Sequence, residues 1–259
     1  MSHHVFDIRG HTALVTGSSR GIGRALAQGL LEAGCAVVLH GRDPAAVDRA
    51  GEALADTAKR AGSSVHGVVF DVTDEKAVTA GVTRAQDAVG ALDILVNNAG
   101  MQHRMALLDL TDDAWHRVLD TNLTGAFLVG RAVARGMVPR GRGKIVNVCS
   151  VQAELARPGI APYAASKGGL KMLTKSMAAE WAISGLQVNG IGPGYFETEL
   201  TRSLVEDEQF DGWVRRRTPA GRWGRLEELV GALLFLSSPA SDFVNGQVIY
   251  VDGGISSVL

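Results

Sequence analysis

Tyr163 and Lys167 sit four residues apart in Pro-Tyr-Ala-Ala-Ser-Lys, a spacing that on a helix brings a phenol and an ammonium onto one face. A tyrosine has an ordinary pKa of about 10, and lowering it toward neutrality takes roughly 4 kcal/mol of preference for the phenolate. A unit charge ~4 Å away supplies about that much only where the effective dielectric is near ~20, so the pair can do acid/base chemistry only in a sheltered site. Pro162 suits a first helical turn, which places Tyr163 near a helix N-terminus where negative charge is favoured. An isolated Tyr-x-x-x-Lys is more often an exposed pair, so its neighbours decide. Thirteen residues upstream, Ser150 closes a β-rich run and offers a hydroxyl to a substrate oxygen. Cys149 is the stronger nucleophile by element, but strand alternation turns it toward packing.

A second group of residues is suited to binding. Thr16-Gly-Ser-Ser-Arg-Gly-Ile-Gly23 follows a short β-rich run and leads into a helical pattern. Gly17, Gly21 and Gly23 there give a tight turn, close backbone approach to a pyrophosphate and close helix–sheet packing, with helix N–H groups facing the anion. The next β-rich run ends Leu39-His40-Gly41-Arg42. An acidic residue at that place would accept the 2′-hydroxyl of an adenine ribose, whereas arginine suits a 2′-phosphate. With Asp43 coming late, Arg42 and Arg20 are expected to form a guanidinium clamp, favouring NADP(H) over NAD(H).

These residues are spaced along an alternating pattern. β-rich runs at 12–16, 36–40, 65–70, 94–96, 144–149, 187–191 and 248–251 alternate with helical periodicity at 23–33, 45–61, 74–89, 112–138, 163–182 and 226–236. That rhythm predicts an α/β fold: a single Rossmann-type doubly wound domain, its seven-stranded sheet mostly parallel with helices on both faces. One segment breaks the rhythm. Residues 194–225 carry Tyr195, Phe196, Trp213 and Trp223 and are read as a helical lid, either a mobile substrate cover or a surface helix pair capping the core.

Of the 259 residues, 26 are basic and 27 acidic, which gives no electrostatic case for nucleic acid or an anionic membrane. No apolar run is long enough to span a bilayer. Cys35 and Cys149 are too few for a disulfide framework and read as buried reduced thiols, pointing to the cytoplasm. His3 and His4 read as solvated tail residues, and no metal site is expected.

Taken together, Thr16-Gly-x-x-x-Gly-Ile-Gly23, Asn97-Asn-Ala-Gly100, Asn122, Ser150, Tyr163-x-x-x-Lys167 and Pro193-Gly194 resemble the short-chain dehydrogenase/reductase family over nearly the whole chain. The resemblance implies a nicotinamide cofactor cradled by Gly17, Ser19, Arg20, Gly21, Ile22, Gly23, Arg42, Ala99, Gly100, Pro193, Gly194 and Phe196. It further implies Asp71 and Val72 at the adenine, Asn98 beside the ribose and Thr198 at the carboxamide. Lys167 would bind the nicotinamide ribose and depress Tyr163, Asn122 would hold a water in a proton relay, and the assembly would be a homotetramer.

The substrate is read from the loops after the fourth and fifth strands. Arg104 is placed to pair with a carboxylate, while Gln102, Gln152 and Glu154 offer hydrogen bonds to hydroxyls beside Ser150 and Tyr163. Residues 148–157, 163–174, 188–196 and 241–246 resemble the branch of the family that interconverts D-gluconate and 5-keto-D-gluconate. Members of that branch carry an aspartate after strand two where this chain has His40-Gly41-Arg42. Two other readings are weighed: a 3-oxoacyl-carrier-protein reductase, docking its acidic carrier through Arg135, Arg140 and Arg142, and a non-catalytic NADP-binding sensor.

Overall fold

The computed structural model describes residues 3–199 and 201–258, with the side chains of His3 and His4 outside the described residues, so their expected tail role lies outside them too. Seven strands form one sheet: β1 (Thr12–Val15), β2 (Ala36–Gly41), β3 (Val65–Val69), β4 (Ile94–Asn97), β5 (Gly143–Val148), β6 (Leu186–Pro193) and β7 (Val248–Val251). Their order is β3-β2-β1-β4-β5-β6-β7, and every pairing is parallel, where a mostly parallel sheet was expected. Six β-branched or aliphatic central positions, Leu14, Val15, Leu95, Val96, Ile145 and Val146, are fully buried because helices cover both faces.

The helices are α1 (Gly21–Glu32), α2 (Pro44–Arg60), α3 (Glu75–Val89), α4 (Asp112–Leu119), α5 (Gly125–Met137), α6 (Ala161–Trp181), α7 (Arg202–Val205), α8 (Glu208–Arg217) and α9 (Val230–Ser237). One core cluster lies between the sheet and α1, α2 and α9; the other lies on the opposite face under α3, α5 and α6. Asp43, Asp74 and Asp207 cap α2, α3 and α8 by accepting first-turn amides.

Two helices differ from their periodicity. The helix expected over 112–138 is interrupted by a π-helical turn, Asp120–Thr124, between α4 and α5. The helix expected over 226–236 starts as a 3-10 turn, Leu226–Leu229, before α9. Amphipathic spacing is nearly the same across such turns, which is why periodicity did not register them. The strand order reverses between β1 and β4, and the carboxyl ends of the strands open there into a cleft.

Candidate active site

The cleft, about 960 Å³ in volume, runs from the loop between β1 and α1 to the start of α6. At one end, Gly17 and Gly21 take φ +62° and +55°, the left-handed region that favours glycine. Gly23 is constrained by space: a Cβ there would lie 2.4 Å from the Asn98 amide nitrogen and 2.4 Å from the Gly17 carbonyl oxygen. That amide is already committed, donating to the carbonyls of Thr16 and Gly17 at 2.9 and 3.0 Å. The loop is therefore clamped to β4. The first turn of α1 holds no acidic residue, so its amides face the cleft as an anion site.

His40 clamps the same loop from β2. The Gly17 N–H donates to His40 Nδ1 at 3.0 Å, which makes Nδ1 the acceptor, so Nε2 carries the proton and donates to the Phe70 carbonyl at 3.0 Å. Burial pushes this imidazole down to about 4, so it is neutral at physiological pH. The sequence reading took His40 only as a missing aspartate; its role in holding the glycine loop needed the distance across 23 residues.

Of the two arginines expected to form a clamp, Arg42 lies 3.7 Å from the Asp71 carboxylate and Arg20 lies 3.1 Å from Glu199. Burial opposes the Asp71 charge, but Thr73 hydrogen bonds and Arg42 hold its carboxyl below the usual range. Both arginines line the cleft, and so do Arg24 and Arg49, which sequence reasoning missed. Arg24 follows Arg20 by one helical turn, a spacing that could have found it. The remaining cofactor expectations, Ser19, Ile22, Val72, Ala99, Gly100, Pro193, Gly194, Phe196 and Thr198, also line this cleft. Its size, glycine loop, anion-accepting helix start and four arginines fit a phosphorylated dinucleotide.

At the other end stand Ser150, Tyr163 and Lys167. Ser150 follows β5, is nearly buried, and its Oγ accepts the Gln152 N–H at 3.1 Å while bonding the Tyr163 phenol. Tyr163 lies in the first turn of α6. Lys167, also buried, donates to the Val148 carbonyl at 2.7 Å with its Nζ 5.6 Å from the Tyr163 ring centroid. Burial raises the tyrosine above its ordinary value against the pull of Ser150, and burial lowers Lys167 to about 8. In the free protein the phenol is thus held neutral, and the lysine's proton is directed at backbone.

Asn122 lies in the π-turn, and its side chain ties that turn to its neighbours. Its Oδ1 accepts the Met101 N–H at 2.8 Å, and its Nδ2 donates to the Met101 carbonyl and to Ser166 Oγ at 2.9 and 3.0 Å. Ser166 in turn donates to the Tyr163 carbonyl at 2.7 Å, so the π-turn is tied both to the loop after β4 and to the helix bearing the tyrosine. Cys149 is buried, and burial pushes its thiol up to about 11, so it is no nucleophile.

The substrate expectations divide. Gln152 is buried with Nε2 3.4 Å from the Tyr195 hydroxyl, and Arg104 reaches Ser203 of α7 at 3.4 Å. Glu154 points elsewhere: it pairs with Lys171 and accepts the Tyr250 hydroxyl at 2.5 Å. Phe210 and Trp213 of α8, with Trp223 beyond that helix, pack around Tyr195, their ring centroids 5.6–5.8 Å from the tyrosine. Among the described residues no cluster of three His, Cys, Asp or Glu side chains suits a metal, and no helix is long and apolar enough to cross a membrane.

The family model described as "Enoyl-(Acyl carrier protein) reductase" matches residues 17–256. The chain is 55% identical over 257 residues to the gluconate 5-dehydrogenase of Gluconobacter oxydans, covering 99% of each. It is 46% identical over 251 residues to the 5-keto-D-gluconate 5-reductase of Escherichia coli, covering 97% of each. With a TM-score of 0.93 and 52% identity, it also superposes on the crystal structure of a gluconate 5-dehydrogenase from Burkholderia cenocepacia J2315 in complex with NADP and tartrate, covering 99% of both chains. With the motifs on one cleft and the likeness running through the whole fold, the chain belongs to the short-chain dehydrogenase/reductase family.

Proposed function

We propose that the protein is an NADP(H)-dependent oxidoreductase that reversibly interconverts D-gluconate and 5-keto-D-gluconate. The observation that carries this reading is the joining of Ser150, Tyr163 and Lys167 to the glycine loop by one continuous cleft. A bound nicotinamide supplies the carbon that gives or accepts hydride. Ser150 donates a hydrogen bond to the substrate oxygen, and Tyr163 exchanges the proton at that oxygen. With the phenol neutral, the free enzyme is poised to donate in ketone reduction; oxidation needs the phenolate. Lys167, behind the tyrosine, and Asn122, tied to Ser166, lie on the route by which that proton reaches solvent.

Arg104 is the expected carboxylate partner in the loop after β4. The acyl-carrier reading is less well supported: Arg140 and Arg142 pair with Asp93 at the amino end of β5, a strand length of roughly 20 Å from Ser150. A helical lid over residues 194–225 on a single catalytic domain, a cytoplasmic setting for two reduced thiols, and a homotetramer built on exposed Phe127 and Met172 of α5 and α6 complete the reading. Light scattering checks the tetramer. The function is tested with a panel of sugar acids, polyols, ketones and acetoacetyl thioesters with both cofactors; preference for a thioester, or no turnover with tight cofactor binding, overturns it.

A further inference from the structure

Two guanidinium groups, on the loops that follow β4 and β5, stand without a carboxylate partner. Among the described residues, neither Arg104 nor Arg157 makes an ion pair, although twelve such pairs form elsewhere. They are close enough that the charge of Arg157 works against that of Arg104, second only to burial. Arg157 is half-buried, in the loop after β5. Its Nε is shielded from solvent and has no hydrogen-bond partner. Its guanidinium carbon lies 5.1 Å from the ring centroid of Phe210 in α8, and the group also reaches the Tyr195 hydroxyl.

A neighbouring acceptor is also unused. Gln152 is nine-tenths buried at 9% exposure, and its Oε1 has no partner. Its backbone N–H donates to Ser150 Oγ, which fixes this unpaired group two residues from the reacting hydroxyls. Like charges held together and buried polar atoms left unpaired are both costly, unless an anion bearing hydroxyls completes them.

We propose that Arg157 is the second arm, with Arg104, of a paired-guanidinium site that binds the substrate carboxylate, while Gln152 Oε1 accepts an adjacent hydroxyl. The inference rests on the sugar-acid reading and deepens it: in gluconate the carboxylate lies four carbon–carbon bonds from C5, so it needs anchors beyond Ser150 and Tyr163. Contact with Phe210 orients the Arg157 fork and joins carboxylate binding to the lid.

The test uses the full chain with NADP(H), comparing wild type with Arg157→Gln and Arg157→Lys. Steady-state kinetics on D-gluconate are paired with calorimetric titration of tartrate, a carboxylate probe, into the enzyme–NADP complex. Arg157→Gln is expected to raise KM for D-gluconate by roughly 10–100-fold, more than it lowers kcat, and to weaken tartrate binding by a similar factor. The NADP dissociation constant stays unchanged, and Arg157→Lys recovers part of the loss. Tartrate that does not bind wild type, or binds Arg157→Gln as tightly, overturns the proposal; so does a KM for D-gluconate that does not move. If wild type binds tartrate, loses it in Arg157→Gln and yet turns over no gluconate, the carboxylate site stands and the gluconate reading falls.

Discussion

Lys167 Nζ stands 5.6 Å from the centre of the Tyr163 ring yet gives its hydrogen bond, 2.7 Å long, to the Val148 carbonyl. The ammonium is thereby aimed at the end of β5, below Ser150, and in the free protein burial governs the phenol. Because the tyrosine is raised, the phenol persists across neutral pH. Oxidation, which needs phenolate, is expected to accelerate as pH rises, and reduction, which needs phenol, to slow over the same range. Initial rates in both directions between pH 6 and 10 check the sign; parallel profiles would falsify the assignment of one shared acid/base.

Removing the hydroxyl alone isolates its role. Tyr163→Phe is expected to lower turnover by roughly 10²–10⁴-fold while the NADPH dissociation constant changes less than about threefold. Fluorescence titration alongside steady-state assays separates the two effects, and retained turnover excludes Tyr163 as the proton carrier.

His40 makes acid stability a readout of the glycine loop. Its folded value, about 4, lies below the ordinary 6.5, so between these the unfolded chain binds a proton that the folded chain refuses. Stability is therefore fully present above about 6.5 and lost as pH falls toward 4, by on the order of 3 kcal/mol. His40→Asn should flatten this slope relative to wild type. Denaturant melts at half-unit pH steps would show it; identical slopes remove the imidazole from the account.

Cofactor choice depends on Arg42 and its partner. Arg42→Ala removes a candidate 2′-phosphate ligand and leaves the Asp71 carboxylate without its ion-pair partner, so the preference for NADP over NAD should fall by roughly 10–100-fold. Ratios of kcat/KM for the two cofactors measure it. An unchanged ratio moves the role to Arg20, Arg24 or Arg49.

Gly23→Ala places a methyl group 2.4 Å from the Gly17 carbonyl oxygen, a backbone atom held by the β4 clamp. A loss of about 1–3 kcal/mol is expected from overpacking, with weakened NADPH binding. Thermal melts with and without NADPH check both; a variant with wild-type melting and affinity would mean that the loop yields freely.

Much of this was legible in the chain because the signals are local. The glycine loop stands out through three residues within seven positions, Tyr163 and Lys167 through one helical turn, and the seven strands through alternation with helices. The π-turn was not legible, since its Asn122 bonds to Met101, a loop residue 21 positions away. Nor was the choice of partner by each charged group: Glu154 stands in a loop beside Ser150, but Lys171 and Tyr250 claim its carboxylate.

The sequence by itself determined the fold class and picked out the short motifs that line the cleft, because hydrophobic period and short motifs act over neighbouring residues. The tertiary structure decided the electrostatics: which arginines are paired, that His40 holds Gly17, that burial raises the phenol, and that Arg157 stacks over Phe210. Charges and hydrogen bonds choose among groups brought together from distant parts of the chain, and those distances exist only once the sheet is built.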